Sequence, residues 1–94
     1  MVAQDPANSF ARYGLAMECA NSGDLATAVT EFHSLIDQNP NYAAAYYHGG
    51  QALEKLGRID EARGIYEKGI EATRRSGDSH TRAEIEAALN LLPL

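Results

Sequence analysis

The sequence predicts an all-α fold of stacked helical hairpins, with five helices in a single domain spanning residues 1–94. Two observations support this prediction. Sliding the sequence by 34 positions places like residues on one another: Pro6 on Pro40, Tyr13 on Tyr47, Gly23 on Gly57, Ala28 on Ala62, and Phe32 on Tyr66. Each copy also contains two helical patterns that are joined at a glycine. A repeat of this length and kind is one helical hairpin, and its apolar face is buried when neighbouring copies stack.

The first repeat, about residues 9–42, predicts two helices. Apolar residues surround most of the helix from Asn8 to Asn21, which is typical of an inner helix packed on two sides. Gly23 can end this helix in the left-handed conformation, and Asp24 can cap the next one. That second helix has one apolar stripe at spacings of three and four: Leu25, Ala28, Val29, Phe32, Leu35 and Ile36. Pro40 ends it, because proline disfavours the helical conformation in the preceding residue.

The second repeat, about residues 43–76, predicts an inner helix over residues 42–56 and an outer helix over residues 59–75, joined at Gly57. Gly49 and Gly50 lie inside the inner helix, where each costs about 1 kcal/mol relative to alanine. This cost indicates that another helix comes close. A last amphipathic pattern, about residues 79–92, predicts a capping helix that covers the remaining apolar face.

These residues resemble the tetratricopeptide repeat. In the second copy the resemblance rests on Tyr46, Gly49-Gly50, Leu53, Gly57, Ala62, Tyr66 and Gly69, and in the first copy on Leu15-Ala16, Cys19, Gly23, Ala28, Phe32, Leu35 and Pro40. Two positions depart from the family: Arg12 replaces a large apolar residue, and Arg74 replaces the closing proline. The second outer helix is therefore expected to run about one turn longer, which would shift the last helix by about two residues. The resemblance implies antiparallel helix pairs in a right-handed α-solenoid with a concave groove.

The family's register predicts which side chains the groove presents. They are Phe10, Tyr13, Met17 and Asn21 from the first inner helix, Tyr47, His48, Gln51 and Lys55 from the second, and His80, Glu84 and Ala87 from the capping helix. Some family members hold a chaperone's C-terminal carboxylate through lysine, asparagine and arginine at such positions. This sequence lacks that set, so chaperone-tail binding is not expected.

Four of these groove residues have an alternative interpretation. Tyr13 and Tyr47 would offer apolar area and a hydroxyl to a partner, or they would pack between neighbouring inner helices. Met17 would be an adaptable contact or a filler between helices. His48 would supply a hydrogen bond and a pH-sensitive charge, or it would be solvated without a role.

Charge and composition exclude several function classes. Residues 1–54 contain six acidic residues and Arg12 as the single lysine or arginine, within a net charge of -5, which argues against nucleic acid and favours a partner protein or peptide with basic residues. The single cysteine, Cys19, excludes an internal disulfide.

Catalysis, metal binding and membrane insertion are not expected either. Cys19 lies on the face expected to be buried, without a positioned base, so no enzyme activity is expected. Ligand spacing for a metal is missing, and no cofactor is expected. No apolar run approaches a membrane span, so a cytoplasmic protein is predicted. Glu54 and Arg58 are expected to pair on a solvated face.

The sequence therefore predicts a protein–protein interaction module that binds an extended or helical partner segment in its groove. The alternative is a self-association module, forming a homodimer, or a fragment of a longer repeat array. Two repeats are fewer than the three that solenoids usually need, and residues 5–8 resemble a link from a preceding repeat. In that case the first helix would cover its apolar face with a second copy or with upstream repeats.

Overall fold

A computed structural model describes residues 6–93, which form five α-helices and no strand. The helices are α1 (Pro6–Asn21), α2 (Leu25–Gln38), α3 (Ala43–Lys55), α4 (Ile59–Ser76) and α5 (Ser79–Asn90). The predicted all-α helical repeat fold is confirmed. The expected link at residues 5–8 is wrong over residues 6–8, because these form the first turn of α1; Asp5 lies outside the described residues.

The turns between α1 and α2, between α3 and α4, and between α4 and α5 have the same backbone conformation. Each has a glycine with a positive φ, of 91° at Gly23, 79° at Gly57 and 75° at Gly77. In each turn the residue after the glycine donates its N–H to a carbonyl five residues earlier, which closes the preceding helix. At Asp24 and Asp78 the side chain then accepts the N–H of Thr27 or Thr81 and caps the next helix. The glycine and aspartate signals in the sequence therefore have the predicted structural role.

The helices pack as alternating inner and outer elements. Helix α2 packs against α1 and α3, and α4 packs against α3 and α5, so α2 and α4 are outer helices. The inner helices α1, α3 and α5 are neighbours in that order. The largest fully buried side chains lie on the inner and outer helices where these pack together: Phe32, Leu35, Leu53, Tyr66, Thr73 and Ile85.

Glycines permit close contacts between the inner helix α3 and the outer helices α2 and α4. A Cβ atom added at Gly50 would lie 2.1 Å from Cε1 of the fully buried Tyr66 ring. One added at Gly49 would lie 3.2 Å from Cβ of Phe32, and one at Gly69 would lie 2.6 Å from Cβ of Tyr46. The predicted close approach at Gly49 and Gly50 is confirmed, because aromatic side chains of α2 and α4 occupy the space that larger residues would need.

Helix α4 is longer than its counterpart α2, with 18 residues against 14. It continues through Arg74, where the first repeat has Pro40, and ends at Ser76, with Gly77 as its C-cap. Helix α5 consequently begins at Ser79, two residues later than a 34-residue period from Ala43 requires. The predicted extension and shift are both confirmed, and they decide which side chains of α5 face α3.

Candidate functional site

The gap between α1 and α3 holds a cavity of about 180 Å³, which we call the α1–α3 cavity. It is lined by Met17, Ala20, Asn21, Leu25, His48, Gln51, Ala52 and Lys55. Five of the predicted groove residues therefore lie together here, on two neighbouring inner helices. Amide, imidazole and ammonium groups stand beside a thioether, so the cavity can make both polar and apolar contacts.

A second cavity, of about 350 Å³, lies between α3 and α5 and is called the α3–α5 cavity below. Its lining residues are Tyr47, Gln51, Glu54, Glu84, Ala87, Ala88 and Leu91. Because Gln51 lines both cavities, they adjoin along the inner helices. Eight of the eleven residues predicted from sequence for the groove line one cavity or the other, whereas Phe10, Tyr13 and His80 line neither.

Tyr13 is half-buried among aromatic rings. Its ring centroid lies 5.3 Å from that of Tyr42, 6.0 Å from that of His48 and 6.3 Å from that of Phe32. Burial, followed by the influence of Tyr42, raises the pKa of the Tyr13 hydroxyl above its usual value. These contacts favour the alternative in which Tyr13 packs between helices and supports the imidazole of His48.

Phe10 lies on a solvent-facing side of α1, where 71% of it is exposed. Ala11, Gly14, Leu15 and Glu18 are also exposed and share this side, which we call the α1 outer face. Among the described helices, α1 packs only against α2 and α3, so none covers this face. At its edge, the Arg12 guanidinium pairs with Glu31 at 2.9 Å, which explains why a charged residue fits where the family has a large apolar one.

His48 lies at the junction of the inner helices. Burial lowers the pKa of His48 below its usual value, Glu84 opposes this shift, and nearby Lys55 adds to it. The imidazole is therefore neutral at pH 7, where one ring nitrogen donates a hydrogen bond and the other accepts one. Because its pKa is lowered, His48 becomes positively charged only at a lower pH than an ordinary histidine.

Glu54 is a cavity residue that sequence reasoning missed. The expected Glu54–Arg58 pair is wrong: Arg58 pairs with Glu61, with its Nη2 2.8 Å from Oε1, whereas Glu54 Oε2 accepts a hydrogen bond from the hydroxyl of Tyr66. Burial and this hydrogen bond raise the pKa of Tyr66 far above its usual value, so the hydroxyl remains the donor. The internal repeat held the signal, because Ala20 and Phe32 of the first copy become Glu54 and Tyr66 in the second.

The described residues offer little for other chemistries. Cys19 is half-buried and packs against apolar residues. Across residues 6–93, no three His, Cys, Asp or Glu side chains converge as a metal ion would require. No helix in the same range combines the length and apolar content needed to cross a bilayer.

Comparisons with known proteins agree on one family. A family model for the tetratricopeptide repeat matches residues 20–81. A TPR repeat-containing protein of Pseudomonas aeruginosa is 27% identical over 92 residues, which cover 98% of this chain and 88% of that relative. The solution NMR structure of a tetratricopeptide repeat domain protein from Salinibacter ruber superimposes with a TM-score of 0.83 at 35% identity, over 92% of this chain and 87% of the other. The crystal structure of such a domain from the same organism has a TM-score of 0.80 at 34% identity, over 86% and 90% of the two chains.

Proposed function

Because this chain belongs to the tetratricopeptide repeat family, whose domains generally mediate protein–protein interaction, we propose that it binds a segment of a partner protein along α1, α3 and α5. The observation that carries this proposal is the pair of adjoining cavities between the inner helices. A continuous surface with polar groups placed over apolar walls suits a bound peptide.

The α1–α3 cavity would hold the peptide main chain. Asn21 and Gln51 each provide an amide that both donates and accepts, so together they match a backbone N–H and C=O. Neutral His48 adds one donor and one acceptor, and Met17 adds an adaptable apolar contact. Such groups bind an extended segment without requiring one particular side-chain sequence.

Binding fits this chain better than catalysis. Domains of the family are typically non-catalytic scaffolds. Cys19 packs against the apolar core instead of facing either cavity, and neither cavity is lined by a serine or a cysteine. The side chains that do line the cavities are suited to hydrogen bonding and apolar contact.

We expect Tyr47→Ala to weaken partner binding by about 2 kcal/mol while changing the free energy of unfolding much less. Tyr47 is half-buried, and its ring packs edge-on against that of His48 with centroids 5.1 Å apart, so part of it stays available to a ligand. The test uses a peptide selected from a displayed random library, with affinity measured by calorimetry and stability by urea unfolding.

Glu67→Ala is the matched control, because Glu67 is exposed on the outer helix α4 and should leave both quantities unchanged. A loss of about 3 to 5 kcal/mol in stability from Tyr47→Ala, without a separate loss of affinity, would assign Tyr47 to the core. If no library peptide bound along the inner helices, the proposed function would be rejected.

A second candidate function is homodimer formation through the α1 outer face. It is favoured by the exposure of Phe10 and Leu15, at 71% and 49%, on a face whose only exposed charged residue is Glu18. On this hypothesis, light scattering over a concentration series gives a 20 kDa species that Phe10→Glu converts to the 10.2 kDa monomer. A monomer at all concentrations contradicts self-association and leaves the groove proposal standing.

A further inference from the structure

The α3–α5 cavity differs from the α1–α3 cavity in the chemistry of its walls. Tyr47 contributes an aromatic ring and Gln51 an amide, and the small and aliphatic residues come from α5 and the turn after it: Ala87, Ala88 and Leu91. Leu91 is 84% exposed, although it is a large apolar residue. Two carboxylates complete the lining, Glu54 from α3 and Glu84 from α5.

The Glu54 carboxylate is held in place with one oxygen free. Oε2 accepts a hydrogen bond from the hydroxyl of the buried Tyr66, whereas no described group donates a hydrogen bond to Oε1. A carboxylate that is oriented by a buried donor loses little conformational freedom when it accepts a further hydrogen bond. Glu54 is therefore prepared to bind a donor that enters the cavity.

Comparison of the two repeats shows that this arrangement is specific to the second one. Ala16, Ala20 and Phe32 of the first repeat correspond to Gly50, Glu54 and Tyr66 of the second. Gly50 leaves room for the Tyr66 ring, and the added hydroxyl reaches the added carboxylate. Of the two cavities between the inner helices, the α3–α5 cavity is therefore the one with an oriented carboxylate in its wall.

The charges that face this cavity are not balanced within the described chain. No lysine, arginine or histidine lines it. Arg58 is occupied by Glu61, and Lys55 lines the other cavity. His80 Nε2 lies 4.0 Å from Glu84 Oε2, which is too far for a hydrogen bond. The cavity is therefore complementary to a cation that a partner must supply.

We propose that the α3–α5 cavity receives an arginine side chain of the bound partner segment. The inference rests on the proposed function and adds the chemistry of one anchoring residue. Arginine fits better than lysine, because its planar guanidinium can donate to two carboxylates and to an amide while it stacks on an aromatic ring. Its aliphatic stem would cover Leu91 and the alanines of α5.

The test is an NMR titration of the ¹⁵N-labelled protein with the capped tripeptide Ala-Arg-Ala, at low ionic strength. The matched ligand is Ala-citrulline-Ala, which keeps the shape of arginine without its charge. Saturable shifts are expected at the amides of Gln51, Glu84 and Ala88, with the arginine peptide binding about tenfold more tightly than the citrulline peptide.

Three variants identify the acceptors. Glu54→Gln keeps an acceptor for Tyr66 and should weaken arginine binding about tenfold, because a half-buried, oriented charge is lost. Glu84→Gln should weaken it about threefold, since this carboxylate is exposed and better screened. Glu86→Gln removes the same charge from the same helix outside the cavity and should have no effect. If Glu54→Gln fails to fold, the comparison of Glu84→Gln with Glu86→Gln still decides the question.

The inference is overturned if the arginine peptide gives no saturable shifts at these amides, if citrulline binds equally well, or if all three variants bind like the parent protein. Its failure can be told apart from failure of the proposed function. A library-selected peptide that shifts Met17 and Asn21, but binds Glu54→Gln and Glu84→Gln with unchanged affinity, would retain the groove and reject the arginine pocket. A library without any groove binder would reject the groove itself.

Discussion

Gly50→Ala is expected to lower the free energy of unfolding by about 2 kcal/mol, although alanine is intrinsically the better helix former. The added Cβ would lie 2.1 Å from Cε1 and 2.5 Å from Cζ of Tyr66, whose ring is fully buried between α3 and α4. A ring enclosed on all sides cannot rotate away, so α3 and α4 must move apart. Urea unfolding followed by circular dichroism measures the effect.

Gly64→Ala is the matched control for this prediction. Gly64 also lies inside a helix, but a Cβ there would meet nothing within 4 Å. It should therefore raise the free energy of unfolding by about 0.5 to 1 kcal/mol through helix propensity. Equal stability of the Gly50→Ala protein and the parent would show that α3 and α4 are not packed as closely as described.

Ile85→Ala is expected to cost about 3 to 4 kcal/mol and to undock α5 from the rest of the protein. Ile85 is fully buried, and it is the one buried residue of α5. Its Cδ1 lies 3.0 Å from where a Cβ at Gly69 would be, so it fills the space between α4 and α5. A domain of this length has a total stability of roughly 5 to 14 kcal/mol, so this loss is a large part of it.

Amide hydrogen exchange distinguishes local from global loss. In Ile85→Ala, the amides of α5 should lose protection before those of α3 and α4, because among the described helices α5 packs against these two alone. Glu86→Ala, an exposed change one residue away, should leave exchange and stability unaltered. Uniform loss of protection over all five helices would instead mean that α5 belongs to the cooperative core.

Local patterns predicted the fold closely. Glycine, aspartate and proline signals placed the helix ends within about two residues, because each acts through backbone geometry that is decided within a few positions. Arg74, in place of a closing proline, correctly predicted the longer α4 and the shifted α5. Eight of the eleven residues that the resemblance assigned to the groove line cavities between the inner helices.

A prediction fails where one side chain has two candidate partners. Glu54 has Arg58 one helical turn away in the sequence, yet it bonds to Tyr66 from the next helix. An exposed pair at this spacing contributes only a few tenths of a kcal/mol, so a buried hydroxyl donor outweighs it. For Tyr13 the sequence left two alternatives open, and its contacts with Phe32, Tyr42 and His48 favour the one that sequence spacing could not rank.

The sequence by itself determined the repeat, the five helices and the family, because period, apolar stripes and turn residues are local properties that every copy displays. Only the tertiary structure decided which inner-helix side chains line a cavity together and which pack between helices instead. That outcome depends on distances between helices, which close-packed rings such as Tyr66 on Gly50 set to within an ångström. The oriented carboxylate of Glu54, and with it the proposed arginine pocket, is a product of that packing.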